Sequence, residues 1–297
     1  MATLYTQQSK NVRKTWLLMA SFFVLVIAIG YIISYAYNNP SILYVAVIFS
    51  VVMNIVSYWN SDKIALSLSG AVPADLAQFR ELNNIVENLA ITAGLPKPRV
   101  YIINDAAPNA FATGRNKEHA AVAVTTGLLQ ILDRTELEGV LAHELSHIGN
   151  RDILVSTVAV VLAGFIAILS DMFLRGRFFM GGRRDGDREG SNVLMIVGVI
   201  LAILAPIFAT LVQLAISRKR EYLADASGAL LTRYPDGLAN ALQKIAASAQ
   251  PMRHASKATA HLFIANPFGG VGRKLSGLWS THPPIENRIR ILRDMGK

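Results

Sequence analysis

Residues 137–151 read LEGVLAHELSHIGNR and contain the pattern H-E-x-x-H as His143, Glu144 and His147. On a helix, positions four apart share a face, so the two imidazoles can converge on one ion. Glu144 follows the first histidine and projects beside that face. A carboxylate there can take a proton from a water activated by a metal. The competing reading is a surface helix that happens to carry two histidines. Chance produces such a pattern in roughly one chain in a hundred, so the surroundings must carry weight.

The helix has a start signal. Thr135 is a candidate N-cap, and Glu138 three residues later would complete a capping box. Leu137, Val140, Leu141 and Leu145 recur at helical spacing around the motif. One face of the helix is therefore core and another is left for chemistry.

Composition narrows the class. Of 297 residues, 52% are hydrophobic, which points to a membrane protein. No cysteine is present, so disulfides, thiolate zinc sites and cysteine nucleophiles are excluded. A metal must use His, Asp, Glu or water. The net charge of +9 sits largely beside apolar runs, where it reads as membrane orientation and lipid headgroup contact. No interleaving of basic and aromatic residues suggests a nucleic-acid partner.

The apolar runs divide the chain into four parts. Residues 1–60 form an N-terminal membrane hairpin, with spans over 16–37 and 42–59 and a tight turn at Asn38, Asn39, Pro40 and Ser41. Trp16, Tyr35 and Tyr37 mark the interfaces of the first span. Lys10, Arg13, Lys14 and Lys63 flank the end away from the turn, which places that end in the cytoplasm. Residues 61–152 form the first part of an aqueous domain, which carries the motif helix. They include an amphipathic helix over 73–93 closed by Gly94, and strands over 99–103 and 120–125. Asn109–Thr113, within NDAAPNAFATG, reads either as a short edge strand that could pair with a peptide or as a plain loop-and-strand hairpin.

Residues 153–216 read as a second membrane hairpin, with spans over 153–174 and 193–216. Asp171 lies near the end of the first span and Pro206 predicts a kink in the second. The Gly- and Arg-rich loop over 175–192 strains the charge rule, because this topology puts five arginines outside. Either the rule is overridden or these two segments enter the membrane without crossing it. Residues 217–297 return to water with helices over 236–249 and 283–295 and an irregular stretch over 250–280.

Two histidines and one carboxylate, with a fourth position open to water, make a catalytic zinc arrangement. Glu221, in SRKREYLAD, is the third ligand of choice; the competing reading pairs it with Arg218 or Arg220. Asp225, one helical turn on, suits a partner for a ligand imidazole; the competing reading is an N-terminal or surface helix carboxylate. His282, stiffened by Pro283 and Pro284, could donate to an oxyanion or serve capping or packing equally well. His119, His254 and His261 have no partner at metal spacing and read as structural or surface groups.

The H-E-x-x-H helix, then SRKREYLAD, then STHPPIENRI, with NAFATG and HLFIANPF, resembles the HtpX family of membrane zinc metalloproteases. More distantly the pattern is similar to the CAAX prenyl proteases and the mitochondrial stress protease Oma. The resemblance implies an α+β membrane protein with four membrane helices and a mainly helical gluzincin-like domain with a small β-sheet. It implies one zinc ion on His143, His147 and Glu221, Glu144 as the base and Asp225 behind a ligand histidine. It implies His282 near the oxyanion, and Asn109, Ala110 and Phe111 on a substrate-binding edge strand. It also implies a role in the bacterial inner membrane, with the site facing the cytoplasm, in degrading damaged or misfolded membrane proteins under stress. A processing protease for lipidated or short peptides, or a non-catalytic zinc scaffold or transporter, are the alternatives. A transporter is expected to carry ligands inside its spans, and here they lie outside.

Overall fold

The structure is a computed structural model that describes residues 4–162, 164–166, 218–248, 250–253, 259–268 and 283–296. Two long helices open the chain, α1 over Leu4–Ala36 and α2 over Ser41–Leu68. Both are long and apolar enough to cross a membrane, α1 through Ser9–Tyr35. Their outward residues are large and apolar: Leu17, Val24, Tyr35, Tyr44 and Ile48 are all exposed. Such a surface suits lipid and not water.

Helix α2 runs on past the span into the aqueous part. Ser61, Asp62, Ala65 and Leu66 on its last turns are buried. Asp62 pairs with Arg99, and the Arg115 guanidinium lies 4.5 Å from the Trp59 ring centroid. These contacts fix the aqueous domain against the end of the hairpin.

The sheet has four strands, β1 (Ala71–Pro73), β2 (Arg99–Ile103), β3 (Ala110–Gly114) and β4 (Ala120–Thr125). Their order is β1-β2-β4-β3, with β2 and β4 parallel and the outer pairs antiparallel. Between β1 and β2 lies α3 (Arg80–Thr92). The helix expected over 73–93 is shorter than its pattern suggests. Residues 71–73 pair with β2, and the Asp75 side chain accepts from the amides of Ala77 and Gln78, both at 2.9 Å. That Asx turn delays the helix and leaves Leu76 exposed. The helix does end at Gly94, whose φ is +63°.

A short α4 (Thr126–Ile131) leads to α5 (Arg134–Gly149), the motif helix. Its cap lies two residues earlier than expected. Asp133, not Thr135, is the N-cap: its carboxylate accepts from the Glu136 amide at 2.9 Å, and the Glu136 carboxylate accepts from the Asp133 amide at 2.9 Å. Thr135 donates its hydroxyl to Asp133, and Glu138 pairs with Arg134. The nearer carboxylate, with its own box partner, wins the competition for the free amides.

After Asn150 and Arg151 the chain bends by 83° into α6, Asp152–Ile166. Leu154, Val155, Val158 and Leu162 of α6 pack against Leu18, Phe22 and Val26 of α1. The third expected span is described only to Ile166. Asp171, the loop over 175–192, Pro206 and the fourth expected span lie outside the described residues. Among the described residues two helices are long and apolar enough to cross a membrane, or three if α5 and α6 count as one bent span.

The last helices are α7 (Arg218–Thr232), α8 (Pro235–Ser248) and α9 (Ile285–Met295). One core joins α3, one sheet face, α5, α8 and α9 through residues such as Ile85, Val122, Leu141, Leu242 and Leu292. The other face, with Phe111 and Ala123, meets Leu66 of α2, Val160 of α6 and Phe263. The metal motif thus sits between a soluble core and the membrane hairpin.

Candidate metal centre

Helix α5 presents His143 and His147 one turn apart, and α7 crosses it with Glu221 on the facing side. The two Nε2 atoms are 3.2 Å apart. A Glu221 oxygen lies 3.5 Å from the His147 Nε2, and the other lies 3.9 Å from the His143 Nε2. Tetrahedral bonds of about 2.0–2.1 Å separate ligand atoms by about 3.3–3.4 Å, so the spacing suits a zinc ion. The tautomers agree. The His143 Nδ1 lies 2.9 Å from Asp225, and the His147 Nδ1 lies 3.1 Å from Asp152. Each carboxylate holds a proton on Nδ1, which leaves two Nε2 lone pairs facing one another. A shared cation or an added proton makes that arrangement favourable.

Asp152 is absent from the site read in the sequence. It follows His147 by five residues, just beyond the helix end, where helical spacing gives no signal. The residue comes back to the ligand because the chain turns sharply, by 83°, at Arg151, whose φ is +58°.

Arg288 is the second residue that spacing missed. It is 1% exposed, and this burial makes its charge a matter for its partners. Its Nε donates to Asp225 at 2.9 Å and its Nη2 donates to the same carboxylate at 2.7 Å. Its Nη1 donates to the Ile264 carbonyl at 3.3 Å and lies 3.8 Å from Glu221. One guanidinium therefore ties α9 to both carboxylates of α7. The signal available in the sequence was a charged residue at an inward position of an amphipathic helix.

Burial sets the titration of these groups, modified by their neighbours. Burial raises the Glu144 carboxyl to about 7, helped by Glu221 and opposed by His147, the Ala112 amide and Arg288. Burial also lowers His143, against the pull of Asp225. For His147 burial works against the charged ring, but Asp152, Glu221 and Glu144 outweigh it and raise it to about 9. Asp225 is held at about 2, because Arg288 and His143 overcome the effect of burial.

A cavity of about 30 Å³ opens beside these residues, lined by Ala112, His143, Glu144, His147, Glu221 and His261 among others. That volume accommodates a water or two. His261, read from the sequence as a structural or surface group, is in this wall, with its Nε2 3.4 Å from the Ser156 carbonyl. His119 is at the surface with Asn116 and Arg115. His254 and His282 lie outside the described residues.

Strand β3 is the sheet edge beside the site. Its open side is partly taken by the chain itself. The Asn109 amide donates to the Ala265 carbonyl at 3.0 Å and accepts from the Ala265 amide at 3.2 Å. The Ala110 carbonyl accepts from the Ile264 amide at 2.9 Å. The Phe111 ring is fully buried, edge-on to Phe263 at 5.0 Å. Residues 259–268 thus form a strap along the edge, and Ala112 faces the cavity beyond it.

Two membrane-length helices, a small mixed sheet and a His–His–Glu centre beside a buried glutamate define a membrane metalloprotease. The model of peptidase family M48 matches residues 76–296, and the chain belongs to that family. It is 51% identical to "Protease HtpX homolog" of Caldanaerobacter subterraneus subsp. tengcongensis, over 99% of this chain and 98% of that one. It is 52% identical to the protein of the same name from Pyrococcus furiosus, over 94% of each. Among solved structures, that of S. mikatae Ste24p superposes with a TM-score of 0.52 at 18% identity. The superposition covers 94% of this chain and 66% of that one, and it speaks for the fold.

Proposed function

We propose that this protein is a zinc-dependent endopeptidase that hydrolyses damaged or misfolded membrane proteins at the cytoplasmic face of the bacterial inner membrane. The observation that carries the reading is Glu144, buried and set next to three converging ligand atoms and a water-sized cavity. His143, His147 and Glu221 would hold the ion, with Asp225 and Asp152 orienting the imidazoles. A bound zinc ion supplies Lewis acidity toward a carbonyl and lowers the pKa of water to about 7.

Glu144 accepts the proton of the attacking water and returns it to the leaving amine. Its raised pKa, near 7, suits both halves of that transfer. A peptide would add along the β3 edge at Ala112, and Asn109, Ala110 and Phe111 form the strand that presents it. Displacing the strap frees the polar groups of Asn109 and Ala110 for the same backbone. His282 is expected to donate to the oxyanion.

Orientation follows from charge. Asn11 and Lys14 lie at the metal-centre end of α1 and near Asp152, and Lys10 and Arg13 flank them. Under the positive-inside rule that end is cytoplasmic.

The test is proteomics of membranes from cells producing the wild-type protein or Glu144→Gln. The variant should retain one zinc ion per chain and lose activity about a hundred- to ten-thousand-fold. Fragments present only with the wild type identify the substrates. Equal cleavage by the two proteins overturns the assignment of the base. Fragments drawn only from lipidated peptides overturn the quality-control reading.

A further inference from the structure

We propose that Asn11, on the first membrane helix, is a positioning residue for the metal centre that acts through Asp152 on His147. The proposal rests on the metal-site reading above. Asn11 is 1% exposed and lies about 140 residues from its partners in sequence. Its Nδ2 donates to the Asp152 Oδ1 at 2.8 Å and to the Asn150 carbonyl at 3.0 Å. The Arg220 Nη1 donates to the same Asp152 oxygen at 3.1 Å and to the Asn11 Oδ1 at 3.4 Å.

The two Asp152 oxygens have separate tasks. Oδ2 faces the His147 Nδ1 at 3.1 Å, while Oδ1 is held by Asn11 and Arg220. A carboxylate gripped on one oxygen can present the other in only one direction. That direction sets the plane of the His147 ring, and with it the direction of the Nε2 lone pair. Arg220 also immediately precedes Glu221, so the same cluster fixes the first turn of α7. The amide of Asn11 thus meets both ligand-bearing segments.

An apolar membrane helix gains nothing by burying an unpaired amide, because the desolvated donor and acceptor would go unmatched. Here both the donor and the acceptor of Asn11 are used, and they are used on the partner of a ligand. Groups that orient metal ligands typically change metal affinity about ten- to a hundredfold when lost. The first helix is then part of the metal centre as well as an anchor. Simple docking of α1 against α6 is the rival explanation, and it depends on the apolar cluster that holds Phe22 of α1 together with Val158 and Leu162 of α6.

The experiment uses the full chain purified in detergent. Zinc affinity is measured by competition with a chromophoric chelator, and geometry by the absorption spectrum of the cobalt-substituted protein. Asn11→Ala should weaken zinc binding about tenfold or more and alter the cobalt spectrum. Asn11→Gln, which retains an amide, should recover part of the loss. Phe22→Ala should lower the thermal midpoint and leave zinc affinity per folded molecule unchanged. If Asn11→Ala does not accumulate, Asn11→Ser is read in the same way. Zinc affinity and cobalt spectrum unchanged in a folded Asn11 variant overturn the proposal. So does an equal loss in Phe22→Ala, which would assign the effect to docking. A wild-type protein that binds no zinc overturns the metal-site reading instead.

Discussion

Gly228 of α7 lies against the backbone of His143: a methyl group built on it would sit 3.0 Å from the His143 nitrogen and 3.2 Å from its Cα. Glu221 is two turns earlier on the same helix. The missing side chain lets α7 approach α5 closely enough for a carboxylate to reach the two imidazoles. The neighbours are helix backbone, which yields little. Gly228→Ala should therefore separate the helices by a few tenths of an ångström and destabilise the protein by about 1–3 kcal/mol. Zinc affinity should fall with it. Thermal unfolding in detergent, with and without zinc, checks both.

Arg288 supports the site from the opposite side. Arg288→Leu leaves the buried Asp225 without its bidentate partner, and breaking such a pair costs about 3–5 kcal/mol. Arg288→Lys keeps the charge but loses the fork geometry, so it should restore only part of the stability. Denaturant unfolding of the three proteins would show that order. Equal stability of Leu and wild type would remove Arg288 from the account.

Metal uptake should release protons. In the metal-free protein His147 is raised to about 9, so at pH 7 it carries a proton that zinc must displace. Calorimetric titrations in buffers of different ionisation enthalpy should report at least about one proton per ion. The same shift acts on stability without metal. A raised pKa stabilises the folded state fully below the unfolded value of 6.5, and that contribution is lost as the pH rises through about 9. The thermal midpoint of chelator-treated protein should carry this loss between those values, and zinc-loaded protein should not.

The strap over 259–268 depends on Asn109. Asn109→Ala removes two hydrogen bonds to Ala265 and leaves the Ile264–Ala110 bond in place. At about 1 kcal/mol each, the loss should speed amide exchange in the strap by roughly tenfold or more. Hydrogen-exchange mass spectrometry on peptides covering 259–268 measures it, and unchanged exchange would show that the strap is held by its apolar contacts alone.

What the sequence determined was local or periodic. The i, i+4 spacing put His143 and His147 on one face, and the apolar runs gave two membrane-length helices and the turn between them, while the outer ends of both helices run seven or more residues beyond the expected 16 and 59. Glu221 and Asp225 were legible as neighbours on a single helix turn. The short β1 and the Asx turn at Asp75 were not, because strand pairing overrode a good helical pattern. Only the tertiary structure brought Glu221 to the histidines, since the packing of α7 on α5 depends on a glycine contact that no periodicity encodes. Asn11, Asp152 and Arg288 were likewise invisible as a group. Each is an ordinary polar residue in its own segment, and its contacts exist only where distant helices bury it against a partner of matching hydrogen-bonding character or opposite charge.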